Sequence, residues 1–345
     1  MRSVVLRDGA LTVADVEDPK PEFGQVLVEV RACGICGSDL HFVKHGATML
    51  EVGRQMEGVD RPGTDSEIDL GRDIFMGHEF CAAVLDTGPD TVAPAAGTLV
   101  TSMPAMLTMA GIKQLAYSND YPAGYGERML LTAGLLLEVP NGLDAPRAAL
   151  TEPMAVGLHA VNKSRIGERD GAVVLGCGPV GLAVIAALKL KGVEPIVAAD
   201  FSPARRGIAA AMGAHEVVDP AEEPAFDAWR RVGGAKSMVA FEAIGVPGII
   251  NEAMRVAPVG TQITVVGVCM EQDTINPFFG IGKELNIQFA LGYDPAEFAG
   301  TLQTIAEGEI DVTPMITGTV DLDGVPGAFE ELGNPERHCK IIVEP

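Results

Sequence analysis

The stretch AVVLGCGPVGLAVIAALKLKG, residues 172–192, restricts the possible folds of this chain more than any other part of the sequence. It has the pattern of an apolar strand, a glycine turn and a long helix. A second unit of the same kind follows in PIVAADFSPARRGIAAAMGA, and further strand-like runs come after it. Strands that alternate with helices indicate parallel strands joined by right-handed crossovers. This half of the chain is therefore predicted to be α/β, with a doubly wound parallel sheet.

The glycine turn itself matches GxGxxG, and it lies between a buried strand and a helix. Gly176 allows the tight turn, Gly178 lets the backbone approach a pyrophosphate, and Gly181 lets the helix pack closely on the strand. Pro179 and Val180 open the helix, whose N-terminus offers free N–H groups and a partial positive charge to phosphates. The sequence therefore predicts a dinucleotide-binding turn at these five residues.

The end of the second strand bears on the choice of dinucleotide. Asp200 stands where a carboxylate accepts hydrogen bonds from an adenosine ribose, and its charge repels a 2′-phosphate, which favours NAD over NADP. Arg205 and Arg206 follow closely and offer positive charge to a phosphate. The alternative is that both are surface charges of the next helix, with Arg205 lying near the adenine.

The two halves of the chain differ in the length of their apolar runs and in the residues that separate them. Residues 1–150 contain short strand-like runs separated by Gly, Pro and Asp, which favours an antiparallel, barrel-like domain. The tail returns to short strands and is expected to pack back on that unit. At 345 residues the chain suggests about two domains. We expect a discontinuous first domain of residues 1–150 and 296–345, and a dinucleotide-binding domain of residues 151–295.

Composition excludes several classes of function. A formal net charge of −22 argues against a nucleic-acid partner, because such proteins concentrate Lys and Arg. No apolar run is long enough to predict a membrane span, and charges interrupt the N-terminal segment, so no signal peptide is expected. Six scattered cysteines favour thiols or metal ligands over a disulfide framework. These observations predict a soluble, cytoplasmic protein.

A second constellation offers metal ligands. Cys33 and Cys36 form a CxxC, whose spacing leaves open a redox pair, a zinc ribbon or a single active thiol. His78, Glu79 and Glu152 add an imidazole and carboxylates, and three protein ligands with an open position are typical of catalytic zinc. Taken singly, each residue also has a structural explanation: a packed thiol, a buried histidine or a carboxylate at a helix start.

Together these motifs resemble the zinc-containing medium-chain alcohol dehydrogenases, particularly the sorbitol/threonine dehydrogenase branch. The resemblance covers essentially the whole chain. It implies a GroES-like β-barrel domain that carries zinc, a Rossmann domain inserted into it, and hydride transfer between a secondary alcohol or polyol and NAD in a homodimer or homotetramer. The motifs that carry it are CGICGSDLH, GHEFCAAV, YPAGYGE, TEPMAVGLHA, GCGPVG and PERHCKIIVEP.

The resemblance assigns the metal ligands residue by residue. Cys36 is implied as the thiolate ligand and His78 as the imidazole ligand, while Glu79 and Glu152 occupy the alternating carboxylate positions. Of the two thiols in the CxxC, Cys33 is then a packed thiol, because the chain has no second CxxC to complete a four-sulfur site.

The resemblance also assigns catalytic roles beside the metal. Asp39 is implied to orient the imidazole of His78 and to fix its tautomer. Ser38 is implied to hydrogen-bond the substrate oxygen. His41 is implied to complete a proton relay to solvent.

Two departures from the family bear on the predicted sites. Relatives often carry a structural zinc on a lobe with four cysteines, but the corresponding residues 101–120 contain no cysteine, so one zinc per chain is expected. Residues 44–73, between Cys36 and His78, have the appearance of an inserted loop. Loops of that size are usually functional or disordered, and we considered a wall or lid of the substrate pocket against a surface excursion.

Two other functions were weighed. A zinc-free quinone or enoyl reductase has the same fold, but it has no need of Cys36, His78 and Glu152, and Asp200 does not suit its NADPH. A non-catalytic cofactor-binding protein likewise has no need of Ser38 and His41 beside the ligands. Zinc-dependent alcohol dehydrogenation is therefore the function that the sequence favours.

Overall fold

The computed structural model describes residues 1–56 and 68–345. The chain divides into two compact units. Unit 1 contains Met1–Glu152, Ile316–Gly333 and Lys340–Pro345, and unit 2 contains Pro153–Met315 and Asn334–Cys339. The first segment of unit 1 ends at Glu152 and the second begins at Ile316, where the sequence analysis placed these boundaries at residues 150 and 296. Residues 296–315 belong to unit 2, where Glu297 receives hydrogen bonds from His159 and Asn162.

The elements of the first segment of unit 1 are β1 (Arg2–Arg7), β2 (Ala10–Asp15), β3 (Gln25–Gly34), α1 (Gly37–Gln55), β4 (Ile74–Met76), β5 (Glu79–Thr87), β6 (Leu99–Ser102), β7 (Ala105–Thr108), β8 (Gly111–Gln114), β9 (Tyr117–Ser118), β10 (Arg128–Thr132), β11 (Leu136–Glu138) and α2 (Ala145–Ala149). Helix α3 (Thr151–Lys163) leads into unit 2, which continues with β12 (Asp170–Leu175), α4 (Pro179–Leu190), β13 (Ile196–Ala199), α5 (Pro203–Met212), β14 (Glu216–Val218), α6 (Ala225–Val232), β15 (Ser237–Glu242), α7 (Ile249–Val256), β16 (Gln262–Val265), α8 (Pro277–Lys283), β17 (Asn286–Phe289) and α9 (Pro295–Ala306). The closing elements are β18 (Ile316–Val320), α10 (Val325–Glu331) and β19 (Lys340–Val343).

Unit 1 is built mainly from antiparallel sheets around a large apolar core. A seven-stranded sheet has the order β11-β6-β5-β3-β19-β18, with β10 also paired to β3, and a four-stranded sheet has the order β2-β1-β4-β9. Strand β3 shows why this segment is a strand: Val26, Val28 and Val30 alternate into the core, while Leu27 and Glu29 are partly exposed. The returning strand β19 pairs with β3, the strand that leads into the loop of Cys36.

Part of the expected insertion is helical and not a loop. Helix α1 runs through Gln55, with a kink at His45. Phe42, Gly46 and Leu50 are buried along it, and Met49 packs against the core of unit 1. Positions 42, 46, 49 and 50 lie on one face of a helix, and burial of that face continues α1 beyond its first turns. Residues 57–67 of the proposed wall or lid lie outside the described residues.

Unit 2 has the predicted parallel, doubly wound sheet, in the order β14-β13-β12-β15-β16-β17. The strand order reverses between β12 and β15, and ligands of such sheets bind at the carboxyl ends of the strands on either side of that point. The glycine turn follows β12 directly. Residues Gly181–Leu188 of helix α4 are all buried, which agrees with its nearly uninterrupted apolar sequence.

Across residues 1–56 and 68–345, no helix combines the length and the apolar character that crossing a membrane requires.

Candidate metal centre and nucleotide-binding turn

The register of β3 against β5 brings two distant segments together. Gly34, at the end of β3, pairs with Glu79, the first residue of β5. A Cβ at position 34 would lie 2.0 Å from Glu79 Oε2, so the carboxylate occupies space that only glycine leaves open. Cys36 follows Gly34 closely and His78 precedes Glu79, and the pairing therefore places both loops side by side.

Three of the four expected ligands meet at this point. The ligand atoms of Cys36, His78 and Glu79 all lie within 4.8 Å of one another. We call these three residues the metal group. His78 and Glu79 are buried and Cys36 is partly exposed. A thiolate, an imidazole and a carboxylate form a donor set that suits catalytic zinc. Glu152, the second residue of α3, is not a member of this group in the described part of the chain.

The imidazole of His78 is oriented as a metal ligand would be. Its Nε2 atom faces the loop of Cys36 and lies 3.5 Å from Ser38 Oγ. Its Nδ1 atom lies 3.4 Å from Asp39 Oδ1, and both of these buried atoms lack a hydrogen bond of good geometry. Burial disfavours the imidazolium, yet the charges of Asp39 and Cys36 raise the pKa of His78 well above its ordinary value. The site therefore favours a cation, and the residues present fit zinc.

Asp39 connects the ligand loop to the rest of unit 1. Cys36 is the N-cap of α1, and its backbone N–H donates to Asp39 Oδ2 at 3.1 Å. The hydroxyl of Tyr125 donates to the same oxygen at 2.5 Å. Asp39 is fully buried, so these two donors hold its carboxylate in place with Oδ1 directed toward His78.

Lys340 forms a buried ion pair with Glu79. Its Nζ lies 2.7 Å from both carboxylate oxygens of Glu79, and it also donates to the carbonyl oxygen of Ile35 at 2.9 Å. Both side chains are essentially inaccessible to solvent. The pair ties β19 to β5 and neutralises the charge of the carboxylate behind the ligand group. Each carboxylate oxygen has a second lone pair, so the contact with Lys340 leaves Glu79 able to bind a metal.

Ser38 is in contact with the group, and a tyrosine holds it. Its hydroxyl donates to Cys36 Sγ at 3.2 Å and accepts from the hydroxyl of Tyr117 at 3.0 Å. His41 lies one turn further along α1, partly exposed, with its ring centroid 6.5 Å from that of His45. Burial, followed by the charges of His45 and Lys44, lowers the pKa of His41.

Cys33 is a core residue. It is fully buried, and its thiol lies against Gly77 and Gly124, where a Cβ would approach its sulfur to 3.1 and 2.4 Å. Burial, together with the charges of Glu79 and Asp39, raises the pKa of its thiol well above the ordinary value. The structure thus separates the two thiols of the CxxC into one buried thiol and one that faces the ligand group.

The glycine turn in unit 2 has distinct requirements at each glycine. Gly176 has a φ of +91°, which favours glycine, and a Cβ at Gly181 would lie 1.9 Å from the carbonyl oxygen of Gly176. At Gly178, the N-cap of α4, a Cβ would meet only Arg205 Nη1, at 3.9 Å. The first and third glycines are therefore needed by the fold, whereas the second leaves space beside the free N–H groups of the helix N-terminus, which Pro179 opens.

Asp200 and the two arginines surround the same turn. Asp200 accepts hydrogen bonds from the backbone N–H groups of Cys177 at 2.8 Å and Ser202 at 2.9 Å. Arg206 donates to the backbone carbonyls of residues 200 and 201 and to Asp219, so its guanidinium is already engaged in hydrogen bonds within the chain. Arg205 places its guanidinium against the glycine turn, and its buried Nε has no hydrogen-bond partner.

Sequence reasoning missed three residues that lie beside the metal group: Tyr117, Tyr125 and Lys340. Tyr125 and Lys340 lie within the recognised motifs YPAGYGE and PERHCKIIVEP, and a lysine that opens the apolar strand KIIV is a signal for a buried charge. Tyr117 lies in no motif, and only the pairing of β9 with β4 places it near Ser38.

Two family models and a relative of known activity match this chain. Residues 22–141 match the alcohol dehydrogenase GroES-like domain, and residues 179–307 match the zinc-binding dehydrogenase domain. The chain is 31% identical to (R,R)-butanediol dehydrogenase of Bacillus subtilis, over 97% of this chain and 96% of that protein. Nothing in these comparisons favours a zinc-free reductase or a non-catalytic protein.

Solved structures share the fold over the full chain. The crystal structure of 2R,3R-butanediol dehydrogenase from Bacillus subtilis has a TM-score of 0.82 and 29% identity, with coverage of 100% of this chain and 99% of that one. A zinc-binding dehydrogenase from Sinorhizobium meliloti bound to NADP has a TM-score of 0.82 and 25% identity, with coverage of 100% and 99%.

The buried ion pair gives a stability prediction for the metal-free protein. Lys340→Met should lower the free energy of unfolding by about 3–5 kcal/mol, because it leaves the Glu79 carboxylate buried without its partner. Urea denaturation in the presence of a chelator measures the change.

The double variant Glu79→Gln/Lys340→Met should recover much of that loss, because no uncompensated charge remains. Arg54→Ala, which removes an exposed pair with Glu51, is the control and should change stability by less than about 1 kcal/mol. Equal losses in Lys340→Met and in the double variant would contradict the interpretation.

Proposed function

The chain belongs to the zinc-containing medium-chain alcohol dehydrogenases, and from this premise we propose that it interconverts a secondary alcohol or vicinal diol and the corresponding ketone with one zinc ion per chain and NAD. Oxidoreduction of an alcohol or polyol with zinc and a nicotinamide cofactor follows from the family. The substrate class is supported by the butanediol dehydrogenase of similar sequence and fold. A cytoplasmic location stays a prediction.

The convergence of Cys36, His78 and Glu79 is the observation that supports the metal site most directly. These residues would hold the zinc, with Asp39 behind the imidazole and Lys340 behind the carboxylate. Glu152 stays an alternative carboxylate for another state of the site. A single zinc is supported by residues 101–120, which contain no cysteine and include the hairpin β7–β8.

The chemistry divides between the bound groups and the side chains. When bound, zinc lowers the pKa of an alcohol, and the nicotinamide accepts or returns a hydride. Ser38 contacts the thiol ligand at 3.2 Å and would hydrogen-bond the substrate oxygen. The burial of Asp39 and His78 keeps water from their contact, which strengthens the orientation of the imidazole. His41, partly exposed on the same helix, is proposed as the outlet for the proton.

The preference for NAD is proposed from the charge of Asp200. Its carboxylate is held by two backbone N–H groups at the glycine turn, so it stays where an adenosine ribose would lie. Arg206 is committed to backbone carbonyls and Asp219. Of the two arginines, Arg205 has a buried Nε without a hydrogen-bond partner among the described residues, and we assign it to the cofactor site, beside the glycine turn. The relative from Sinorhizobium meliloti binds NADP, so this preference needs its own test.

Removal of the thiolate ligand tests the metal site. Cys36→Ser should reduce bound zinc well below one ion per chain and abolish alcohol oxidation, because the thiolate is the softest donor of the set. Metal analysis and an NAD-coupled assay across secondary alcohols, diols and sugar alcohols measure both effects.

Cys269→Ser removes a thiol of unit 2 that hydrogen-bonds only the carbonyl oxygen of Glu271, and it should retain zinc and activity. Full zinc content in Cys36→Ser, or more than one zinc per chain in the unmodified protein, would refute the proposed site.

Neutralising Asp200 tests the cofactor preference. Asp200→Asn should lower the ratio of kcat/KM for NAD to that for NADP by about tenfold or more, which corresponds to about 1.4 kcal/mol of lost repulsion and hydrogen bonding. Asp227→Asn, on the exposed face of α6, is the control and should leave the ratio unchanged. A preference of the unmodified protein for NADP would contradict the proposal.

A homo-oligomer is proposed through the free edge of the sheet in unit 2. Strand β17 forms that edge, and α8 precedes it. Four large apolar side chains of this region are highly exposed: Phe278, Ile281, Phe289 and Leu291. An exposed strand edge beside apolar side chains favours association, and a second copy of the same chain offers a matching edge across a two-fold axis.

Charged substitutions on this edge test the oligomer. Ile281→Lys combined with Phe289→Lys should convert the dimer or tetramer to smaller species, because both substitutions bury charge in the interface. Light scattering coupled to size exclusion measures the mass. Val92→Lys, at an exposed apolar position of unit 1, is the control. An unmodified protein that is already a monomer would contradict this part of the proposal.

A further inference from the structure

We propose that Tyr117 is a positioning residue of the dehydrogenase reaction, which acts by donating a hydrogen bond to Ser38 and so directs the Ser38 hydroxyl proton toward the metal group. The inference rests on the proposed function, since it concerns a residue beside the proposed ligands. Tyr117 belongs to no motif of the sequence, and its role follows from three contacts in unit 1.

The first contact is the hydrogen bond itself. The hydroxyl of Tyr117 lies 3.0 Å from Ser38 Oγ, and Ser38 Oγ lies 3.2 Å from Cys36 Sγ and 3.5 Å from His78 Nε2. A serine hydroxyl has one proton and two lone pairs. Because Tyr117 donates to one lone pair, the proton of Ser38 is left for an acceptor on the side of Cys36, where the reacting oxygen would also lie.

The second contact fixes the ring of Tyr117. It stacks on Phe42, with ring centroids 4.2 Å apart and an angle of 7° between the planes. Phe42 lies four residues after Ser38 on α1, so both side chains share one face of that helix. Phe42 is buried in the core, and the stack therefore sets the distance between the phenol and Ser38.

The third contact links Tyr117 to the ligand loop. Strand β9 pairs with β4, and Tyr117 lies opposite Met76, two residues before His78. The ring of His78 approaches that of Tyr117 edge-on, with centroids 6.1 Å apart. The phenol of a tyrosine carries its proton at neutral pH, so Tyr117 has a proton to donate to Ser38.

The consequence is a fixed direction of hydrogen bonding from Tyr117 through Ser38 to the metal group. Without the phenol, the Ser38 hydroxyl is free to rotate and its proton is shared among several directions. Substrate binding would change little, because Tyr117 itself need not touch the substrate. The loss should appear mainly in kcat, where the orientation of Ser38 matters.

A double-mutant cycle tests the inference. Tyr117→Phe keeps the stack on Phe42 and should lower kcat by about tenfold, while KM changes by less than about twofold. In a Ser38→Ala background, Tyr117→Phe should have no further effect, because its partner is absent. Equal effects of Tyr117→Phe in both backgrounds would overturn the inference. Tyr121→Phe, a nearby tyrosine whose side chain packs on the same core, is the control and should retain activity.

A measurement without turnover separates positioning from a general loss of structure. In the cobalt-substituted protein, the absorption band from the Cys36 thiolate to the metal should shift in Tyr117→Phe in the same direction as in Ser38→Ala, because Ser38 donates to that sulfur. An unshifted band in Tyr117→Phe would overturn the inference. An unmodified protein without bound metal and without alcohol oxidation would instead refute the proposed function itself.

Discussion

The antiparallel pairing of β3 with β5 is the constraint on which the metal group depends. It places Gly34 opposite Glu79 and thereby brings the loop that begins at Cys36 beside His78. A register shift of one residue would turn the side chain of Glu79 to the other face of the sheet. The glycine at position 34 matters for the same reason, since any side chain there would occupy the place of the carboxylate.

Charge balance then determines which contacts this arrangement requires. The carboxylates of Asp39 and Glu79 and the thiol of Cys36 lie close together in a region that is largely closed to water. Lys340 neutralises Glu79 from behind, and two donors hold the inner oxygen of Asp39. The carboxylate of Asp39 is left, and its Oδ1 atom faces Nδ1 of His78 at 3.4 Å. With zinc bound as proposed, Asp39 would fix the tautomer and the orientation of the His78 imidazole.

The same helix serves the metal group and the core. Helix α1 begins at the ligand loop, carries Ser38 and Asp39 in its first turn, and buries Phe42 one turn later. Packing of Phe42 therefore fixes the orientation of the residues that face the ligands. In unit 2, packing likewise shapes the candidate binding site. Two of its three turn glycines are required for packing, and the third leaves room beside the helix N-terminus.

The sequence by itself determined the doubly wound sheet and the glycine turn, because each depends on residues that are close along the chain, and its motifs supplied the ligand candidates. It also contained the helical spacing of Phe42, Gly46 and Leu50, although that stretch was interpreted as a loop. Only the tertiary structure decided which carboxylate joins Cys36 and His78, and that Lys340 and Tyr117 lie beside them. Those contacts join strands that are far apart in sequence, so they follow from sheet register and burial, which no local pattern of residues encodes.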